Sequence, residues 1–345
     1  MGVDLGDLAV KHTVSMEALA GKTIAIDAFN MLYQFLASIR QEDGSSLMDS
    51  KGRVTAHLAG LFYRTSKLLE NGIRPIYVFD GKASALKART QMERMEIKQK
   101  ALAKWKEAME AERVGDARKF AQATSRLTHD MVGESKELLS ALGVPSVQAP
   151  SDGEAEASMM VQRGLAYATG SQDYDAMLFG SSRLVRNLSI TGRRKVPRQD
   201  RYILVEPEEI ILQETLDSIG LKREQLIFLG MLIGTDFNEG VKGIGPKKAL
   251  KIVREVKTLD ELVSSVRTSH KYEFEVDPQE IFDLFVDPPY TEPGEIRWNE
   301  PDAERLRKIL VEEHEFSEER VGKTIDELVK KMKEKGAQSK LDQWF

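Results

Sequence analysis

Residues 23–27 read Thr-Ile-Ala-Ile-Asp and residues 75–81 read Pro-Ile-Tyr-Val-Phe-Asp-Gly, and these two segments decide the fold class. Each is a short apolar run of β-forming residues that contains an aspartate at or near its end, as expected for a buried strand. Between them, apolar residues recur at helical spacing over 54–69, and Asn71-Gly72 follows as a stop signal. Strand, helix and strand predict a parallel unit whose right-handed crossover brings both strand ends to one edge of the sheet.

The same alternation continues through the middle of the chain. We therefore predict an α/β fold with a mostly parallel central sheet flanked by helices. The further elements predicted here are a helix over 134–142, a turn and strand at 143–145, a helix over about 154–163 and a strand over 165–169.

Two long charged segments interrupt this alternation. Residues 86–112 and about 114–142 are predicted as helices that are polar over much of their circumference, which indicates a solvent-exposed arm or a lid. Residues 221–256 are typical of a helix, a glycine-rich hairpin and a second helix. Helical patterns near 302–313 and 317–333 precede a polar tail over 335–345.

Composition narrows the class of protein. The 345 residues include no cysteine, which excludes a disulfide scaffold, a thiolate metal site and a cysteine nucleophile. No run approaches the ~20 apolar residues of a membrane helix, and the first residues lack the pattern of a secretory signal, so we expect an intracellular, cytoplasmic protein with no membrane partner. No Walker A pattern is present, so the sequence gives no support to ATP hydrolysis.

The net charge of −5, from 50 Lys and Arg against 55 Asp and Glu, conceals a local asymmetry. Residues 82–130 contain 12 basic and 7 acidic residues. Residues 183–201 contain seven basic residues and one acidic residue, and residues 242–257 contain six basic residues and one acidic residue. Basic stretches in an acidic chain indicate local surfaces for a polyanion. Solvated helix faces are the alternative for any single stretch.

Acidic residues recur at or just after the ends of predicted strands, where open α/β sheets place their sites, and at three further positions. The candidates are Asp27, Asp80, Asp152, Glu154, Asp173, Asp175 and Asp236. Acids that converge repel one another unless a cation neutralises them, and oxygen ligands suit a hard cation such as Mg²⁺ or Mn²⁺. Near basic surfaces, such a site indicates phosphoryl chemistry with two metal ions.

Each acid taken singly has a structural alternative. Asp152 and Glu154 could stabilise a helix N-terminus, which we weigh equally with catalysis. Asp80-Gly81 is an ordinary turn signal, and Asp173-Tyr174-Asp175 resembles any loop. Acids at three successive strand ends are improbable by chance, so the joint pattern favours a metal site.

The segment 242–249 reads Lys-Gly-Ile-Gly-Pro-Lys-Lys-Ala and precedes an apolar helix. Gly243 and Gly245 allow close backbone approach, the proline suits the first helical position, and the amides at a helix start can bind a phosphate. We predict a helix-hairpin-helix contact with duplex DNA that includes Lys247 and Lys248. A plain tight turn is the alternative.

Together these motifs resemble the structure-specific flap endonucleases of the XPG/Rad2-like superfamily, closest to archaeal members, over nearly the whole chain. The segments that carry the resemblance are 26–28, 77–82, 149–155, 172–175, 234–237 and 243–247. The resemblance implies a Mg²⁺-dependent 5′ flap endonuclease and 5′–3′ exonuclease of DNA replication and repair, in which one metal activates water and a second stabilises the leaving 3′ oxygen. The rivals are another 5′ nuclease of the same superfamily and a non-catalytic DNA-junction or clamp-binding scaffold.

The resemblance also implies roles for individual residues. Residues 82–130 would form the family's helical arch, in which Lys87 and Arg94 would stabilise charge on the scissile phosphate. Tyr33 matches the position whose ring stacks on a base next to the cleavage site, although spacing alone favours a core residue. Gly2 matches the family's N-terminal residue near the active site.

Two departures from the family pattern concern the site. Asp152 stands where the family usually has glutamate, so a bridging water to the metal is expected, and Glu156 could assist. Ala83-Ser84 replaces prolines that the family often carries, so the ordering of the arch could differ.

The C-terminal residues fit a Gln-x-x-aliphatic-x-x-aromatic-aromatic box that docks on a PCNA-type sliding clamp, through Gln338, Leu341, Trp344 and Phe345. A disordered tail is the alternative, although terminal aromatics favour a partner. The predicted organisation is a nuclease core over 1–270, with the arch at 82–130 and the hairpin region at 221–256, a helical extension over 271–333 and a clamp-binding tail over 334–345.

Overall fold

A mostly parallel sheet stands at the centre of the computed structural model, which describes residues 2–41, 44–82, 84, 86–87, 126–189, 192–195 and 202–342. Of residues 193–195, 202–203 and 335–342 only the backbone is described. The strands in the described part are β1 (Lys11–Thr13), β2 (Thr23–Asp27), β3 (Arg74–Phe79), β4 (Ser146–Gln148), β5 (Ala168–Gly170), β6 (Arg183–Arg186), β7 (Gly192–Lys195), β8 (Tyr202–Val205) and β9 (Glu208–Ile211).

Seven of these strands form one sheet in the order β1-β9-β6-β5-β2-β3-β4, and β7 pairs with β8 in a separate two-stranded sheet. The five strands from β6 to β4 are mutually parallel, which confirms the predicted centre of the sheet. Strands β9 and β1 add an antiparallel edge that the sequence did not predict. Strand β6 lies inside a stretch predicted only as basic, because its buried Leu184 and Val185 are too few to stand out between arginines.

Helices cover both faces of the sheet. The described α-helices are α1 (Ala28–Ser38), α2 (Ala56–Glu70), α3 (His129–Ala141), α4 (Gly153–Gln162), α5 (Asp175–Leu178), α6 (Leu212–Ile219), α7 (Arg223–Ile233), α8 (Pro246–Glu255), α9 (Leu259–His270), α10 (Pro278–Val286), α11 (Ala303–Arg307) and α12 (Glu318–Asp342). A π-helical turn, Lys308–Glu313, continues α11.

Alternate residues of the central strands serve two different cores, because successive side chains of a strand point to opposite faces. Ile24 and Ile26 of β2 are fully buried in a core that includes residues of α1, α2 and α3. Ala25 of β2 and Val78 of β3 are buried in a second core, against α4. Since both faces are covered, the strands are apolar throughout, as the opening segments indicated.

The C-terminal helices belong to the first of these cores. Leu306 of α11, Leu310 of the π-helical turn and Leu328 of α12 are fully buried in the same cluster as Leu58 and Phe62 of α2. The part of the helical extension from α11 onward therefore helps to cover the sheet. None of the described helices has the length and apolar character that crossing a membrane requires.

Several predicted boundaries differ from the structure, among them the strand predicted over 165–169, which is β5 at Ala168–Gly170. Residues 126–128 are not helical, so the predicted helix over 114–142 is not continuous, and α3 begins after Thr128, whose Oγ1 accepts a hydrogen bond from the Met131 amide at 3.3 Å. Strand β4 starts only after the turn at Gly143, where φ is +71°. Helix α12 continues to Asp342, so the expected tail is helical as far as it is described, since the one glycine in the tail, Gly336, costs a helix only about 1 kcal/mol.

Candidate active site

Four parallel strands deliver acidic side chains to one edge of the sheet. Asp27 is the last residue of β2, and Asp80 directly follows β3. The chain leaving β4 reaches Asp152 and Glu154 at the start of α4, and the chain leaving β5 reaches Asp173 and then Asp175 at the start of α5. The predicted convergence of strand-end acids is therefore present in the fold.

Lys87 inserts its ammonium group between two of these acids. Its Nζ donates to Oδ2 of Asp80 at 3.2 Å and to Oδ2 of Asp152 at 2.5 Å. Burial lowers the pKa of Lys87, but the carboxylates of Asp152 and Asp80 together raise it by more, so the lysine stays charged. For Asp27, burial and next the charge of Asp80 raise the pKa well above its usual range.

The remaining acids lie on the other side of the same cluster. Burial, followed by the charges of Asp175 and Asp173, raises the pKa of Glu154 well above its usual range. Burial and then the charge of Asp236 raise the pKa of Asp175 well above its usual range. Asp27 also contributes to the shift of Glu154, so the two sides are in electrostatic contact. We call these residues the acid cluster: Asp27, Asp80, Asp152, Glu154, Asp173, Asp175 and Asp236.

Asp152 combines the two roles that the sequence left open. Its Oδ1 caps α4 by accepting from the amides of Glu154 at 2.9 Å and Ala155 at 3.1 Å. Its Oδ2 faces Lys87 instead. The N-terminal capping alternative is therefore confirmed for one oxygen, while the other belongs to the acid cluster.

Glu156 does not join the acid cluster, so the expectation that it assists there is wrong. Residues two apart on a helix point in different directions, and Glu156 is buried against the segment that follows α10. Its Oε2 accepts from the amide of Thr291 at 3.3 Å. Burial raises the pKa of Glu156 to about 7, and the charges that act on it are those of Arg163 and Glu292.

The N-terminal segment lies against the acid cluster, at the position that the resemblance implied for Gly2. A Cβ atom on Gly2 would approach Oδ2 of Asp175 to 2.7 Å and Cβ of Asp173 to 2.9 Å. The amide of Val3 donates to Oδ1 of Asp175 at 2.7 Å. A larger residue at position 2 would displace the acids, so glycine is required here for space.

Helix α1, which the sequence analysis did not predict, starts at the acid cluster. Oδ1 of Asp27 caps it by accepting from the amide of Asn30 at 3.0 Å. Tyr33, further along α1, is 37% exposed, so its interpretation as a core residue is wrong. Burial, followed by the charge of Asp80, raises the pKa of Tyr33, which places the phenol within electrostatic reach of that carboxylate. An aspartate before apolar residues at helical spacing was the available signal.

Asn30 is a site residue that sequence reasoning missed. Its Nδ2 donates to Oδ2 of Asp173 at 2.9 Å, and its Oδ1 accepts from the amide of Gln172 at 3.2 Å. These contacts join α1 to the acid-bearing loop that follows β5. A polar side chain in a mostly apolar helix was the available signal, but no spacing rule connects it with position 173.

The glycine-rich loop between α7 and α8 has the local structure that the sequence predicted. Gly243 has φ +83°, a conformation that favours glycine, and Gly245 caps α8 with Pro246 at its first position. A Cβ atom on either glycine would meet nothing within 4 Å, so the backbone is open to a ligand. Lys247 and Lys248 are exposed, and Nζ of Lys248 also donates to the carbonyl of Gly243 at 3.0 Å.

Several predicted site residues lie outside the described residues or are described only by their backbone. Arg94, Trp344 and Phe345 lie outside the described residues, as does most of the predicted arch at 82–130. Gln338 and Leu341 are described only as backbone of α12.

The acid cluster fits a divalent cation by its chemistry. Its donors are all carboxylate oxygens, and burial together with like charge raises several of their pKa values, a condition that a bound cation would relieve. Among the described residues, however, no three acidic or histidine side chains are arranged to hold a metal ion. The ammonium of Lys87 instead forms ion pairs with Asp80 and Asp152.

Comparison with known proteins assigns this arrangement to a family. Residues 2–101 match the XPG N-terminal domain and residues 143–236 match the XPG I-region. Flap endonuclease 1 of Aeropyrum pernix is 50% identical over the full length of both chains.

Solved structures agree with the sequence matches. Flap endonuclease-1 from Methanococcus jannaschii has a TM-score of 0.75 and 41% identity, and the match covers 97% of this chain and 100% of that chain. The catalytic core of Rad2 in complex with DNA substrate shares the fold, with a TM-score of 0.71 at 24% identity, and covers 95% of this chain and 100% of that one. Taken with the acid cluster at the sheet edge, these similarities show that the chain belongs to the flap endonuclease 1 family of divalent-metal-dependent DNA nucleases.

Proposed function

We propose that this protein is a structure-specific 5′ flap endonuclease with 5′–3′ exonuclease activity, which removes DNA flaps in replication, including Okazaki fragment maturation, and in repair. The observation that carries the proposal is the convergence of acids from four parallel strands on one edge, with Lys87 reaching into them. A complete set of buried carboxylates favours catalysis over a DNA-binding scaffold, because such a set destabilises a protein that does not use it. We infer that the protein acts inside the cell.

The acid cluster would hold two Mg²⁺ ions, and Mn²⁺ could substitute for them. Buried oxygen donors with raised pKa values support this assignment, since hard cations prefer such ligands. When bound, the ions would lower the pKa of the attacking water and neutralise charge on the phosphodiester. The amides of Val3 and Gly153 orient the cluster, since they donate to Asp175 at 2.7 Å and to Asp80 at 2.9 Å.

Lys87 would stabilise the negative charge that develops on the scissile phosphate. Its ammonium is already held at the acid cluster, and a phosphate oxygen could replace a carboxylate as its acceptor. Arg94 would act with it, as the family resemblance implies. Tyr33, exposed on α1, would stack on a base beside the cleavage site.

The glycine-rich loop would bind the backbone of the duplex. Its support is the open backbone at Gly243 and Gly245 together with the exposed ammonium groups of Lys247 and Lys248. Amides at the start of a helix and nearby lysines both favour phosphate. This contact would position the flap and would not take part in the chemistry.

Cleavage of a labelled 5′-flap DNA tests the function directly. We expect products in the presence of Mg²⁺ and none after addition of EDTA, with weaker cleavage of a blunt duplex from its 5′ end. A scaffold would bind the flap equally well under both conditions and release no product. Preference for a different branched junction over the flap would favour another nuclease of the superfamily.

The C-terminal residues would tether the enzyme to a PCNA-type sliding clamp through Gln338, Leu341, Trp344 and Phe345. Deletion of 338–345 should leave cleavage without the clamp unchanged and eliminate its stimulation by the clamp, because truncating one buried anchor can cost ~2 kcal/mol or more. Calorimetry measures the affinity for the clamp. Equal affinity of the full-length and shortened proteins would remove these residues from the interface.

A further inference from the structure

We infer that Asn30 is a positioning residue of the active site, which fixes Asp173 relative to Asp27 so that the two carboxylates can serve one metal site. The inference rests on the proposed metal-dependent function. It concerns a residue whose backbone amide donates to one acid of the cluster, and whose side chain bonds to a second acid and to the loop that carries that second acid.

Asn30 makes three hydrogen bonds that converge on the acid cluster. Its amide nitrogen donates to Oδ1 of Asp27 at 3.0 Å, its Nδ2 donates to Oδ2 of Asp173 at 2.9 Å, and its Oδ1 accepts from the amide of Gln172 at 3.2 Å. One residue therefore spans from the end of β2 to the loop after β5. The relative position of two acids from neighbouring strands depends on it.

The chemistry of the position requires an amide side chain. The Gln172 amide can only donate, so the group facing it must accept, while the carboxylate of Asp173 needs a donor. Asparagine supplies both from one planar group. Leucine has similar size and supplies neither, and serine is too short to span both partners.

Two neighbouring residues, Arg186 and Gln34, make contacts close to those of Asn30, but in the described part of the chain they do not bond to an acid of the cluster. Arg186 holds the same loop from another side, through Nε to the carbonyl of Gln172 at 3.1 Å and Nη1 to the hydroxyl of Tyr174 at 2.5 Å. Gln34, one turn after Asn30 on α1, hydrogen-bonds to Ser189. Neither of these described contacts reaches a carboxylate of the acid cluster, so Gln34 provides a matched control on the same helix.

The test compares the full-length wild type with Asn30→Leu, Asn30→Ser and Gln34→Leu. Binding of Mn²⁺ without DNA is measured by electron paramagnetic resonance, flap affinity is measured in Ca²⁺, and single-turnover cleavage is measured in Mg²⁺. Removing a group that orients metal ligands typically lowers metal affinity or activity by about 10- to 100-fold. We expect both Asn30 variants to weaken Mn²⁺ binding by about 10- to 100-fold and to slow cleavage, with flap affinity within about twofold of wild type. Gln34→Leu should match wild type in all three measurements.

The outcomes separate this inference from the function on which it rests. Unchanged Mn²⁺ affinity in a folded Asn30 variant, or an equal loss in Gln34→Leu, overturns the inference and leaves the function standing. A wild type that neither binds Mn²⁺ nor cleaves the flap overturns both. If circular dichroism shows that Asn30→Leu is unfolded, Asn30→Ser decides the question, because it creates no apolar contact with Asp173.

Discussion

The acid cluster and the glycine-rich loop are both charged regions, but they are built in opposite ways. In the cluster, carboxylates such as Glu154 and Asp175 are buried beside one another, and their pKa values rise because each charge is desolvated and repelled. In the loop, Lys247 and Lys248 are exposed beside open backbone. Solvated charges bind a polyanion reversibly. Buried like charges destabilise the folded protein until a cation or a substrate neutralises them. We therefore expect mutations in the two regions to affect different quantities.

The largest effect is expected for Asp175→Asn. Asparagine keeps an acceptor for the Val3 amide but removes the ligand charge, so cleavage should fall by at least about 10³-fold while flap binding persists. Single-turnover cleavage and flap affinity in Ca²⁺ measure the two quantities separately. Near-normal turnover of Asp175→Asn in Mg²⁺ would contradict the metal site, and the acid cluster would then not differ from the glycine-rich loop in its effect on catalysis.

Lys87→Ala should reduce single-turnover cleavage by about 10²- to 10³-fold, because it removes one donor that stabilises transition-state charge. Lys82→Ala, which removes a nearby exposed lysine, is the matched control and should have little effect. If Lys87→Ala instead weakens only flap binding, Lys87 belongs with the DNA-binding lysines of the loop. Arg94→Ala is expected to resemble Lys87→Ala, a prediction that rests on the sequence alone.

Replacing both loop lysines, Lys247→Ala with Lys248→Ala, should weaken flap binding about tenfold and leave the single-turnover rate at saturating enzyme unchanged. The slope of log affinity against log salt should fall by up to about one unit for each phosphate that the variant no longer neutralises. Lys323→Ala with Lys330→Ala removes the same charge from exposed positions of α12 and serves as the control. An unchanged salt slope in the loop variant would exclude the loop from the interface.

The smallest effect concerns stability without metal. Because burial and the charge of Asp236 raise the folded-state pKa of Asp175 above the usual 3.8, the protonated carboxyl is favoured by folding. That stabilisation is present at low pH and is lost as the pH rises through the folded-state pKa. In EDTA, Asp175→Asn should therefore raise the Tm by a few degrees at pH 8 and by less at pH 5.

Scanning calorimetry at both pH values checks this expectation. Asp217→Asn, at an exposed acid, should leave the Tm within about one degree of wild type at either pH. In saturating Mg²⁺ the Tm of the wild type should instead exceed that of Asp175→Asn, because the bound cation stabilises the wild type by mass action. A lower Tm for Asp175→Asn in EDTA would mean that the buried carboxylate of Asp175 does not destabilise the metal-free protein.

Much of the fold was predictable because its centre is made of local patterns. Strand β2 has the predicted bounds, and α2, α4, α7 and α8 differ from the predicted helical segments by a few residues at most. The edge strands were not predictable, because β1 is exposed along its length and β9 is half polar, so neither shows an apolar period. Helix α1 was missed although its apolar residues have helical spacing, because it follows β2 directly and no turn residues mark the boundary.

The sequence by itself determined which acids stand at strand ends, because strand length, turn residues and helix starts are encoded within a few neighbouring residues. Only the tertiary structure decided how those acids are held. The contacts of Lys87 with Asp152, Asn30 with Asp173, and Val3 with Asp175 join residues that are 65, 143 and 172 positions apart. No local period relates such positions, since their approach depends on the order of strands in the sheet and on the path of the N-terminal segment across its edge. The folded protein also divides the carboxylate of Asp152 between the start of α4 and Lys87, and it turns Glu156 away from the site.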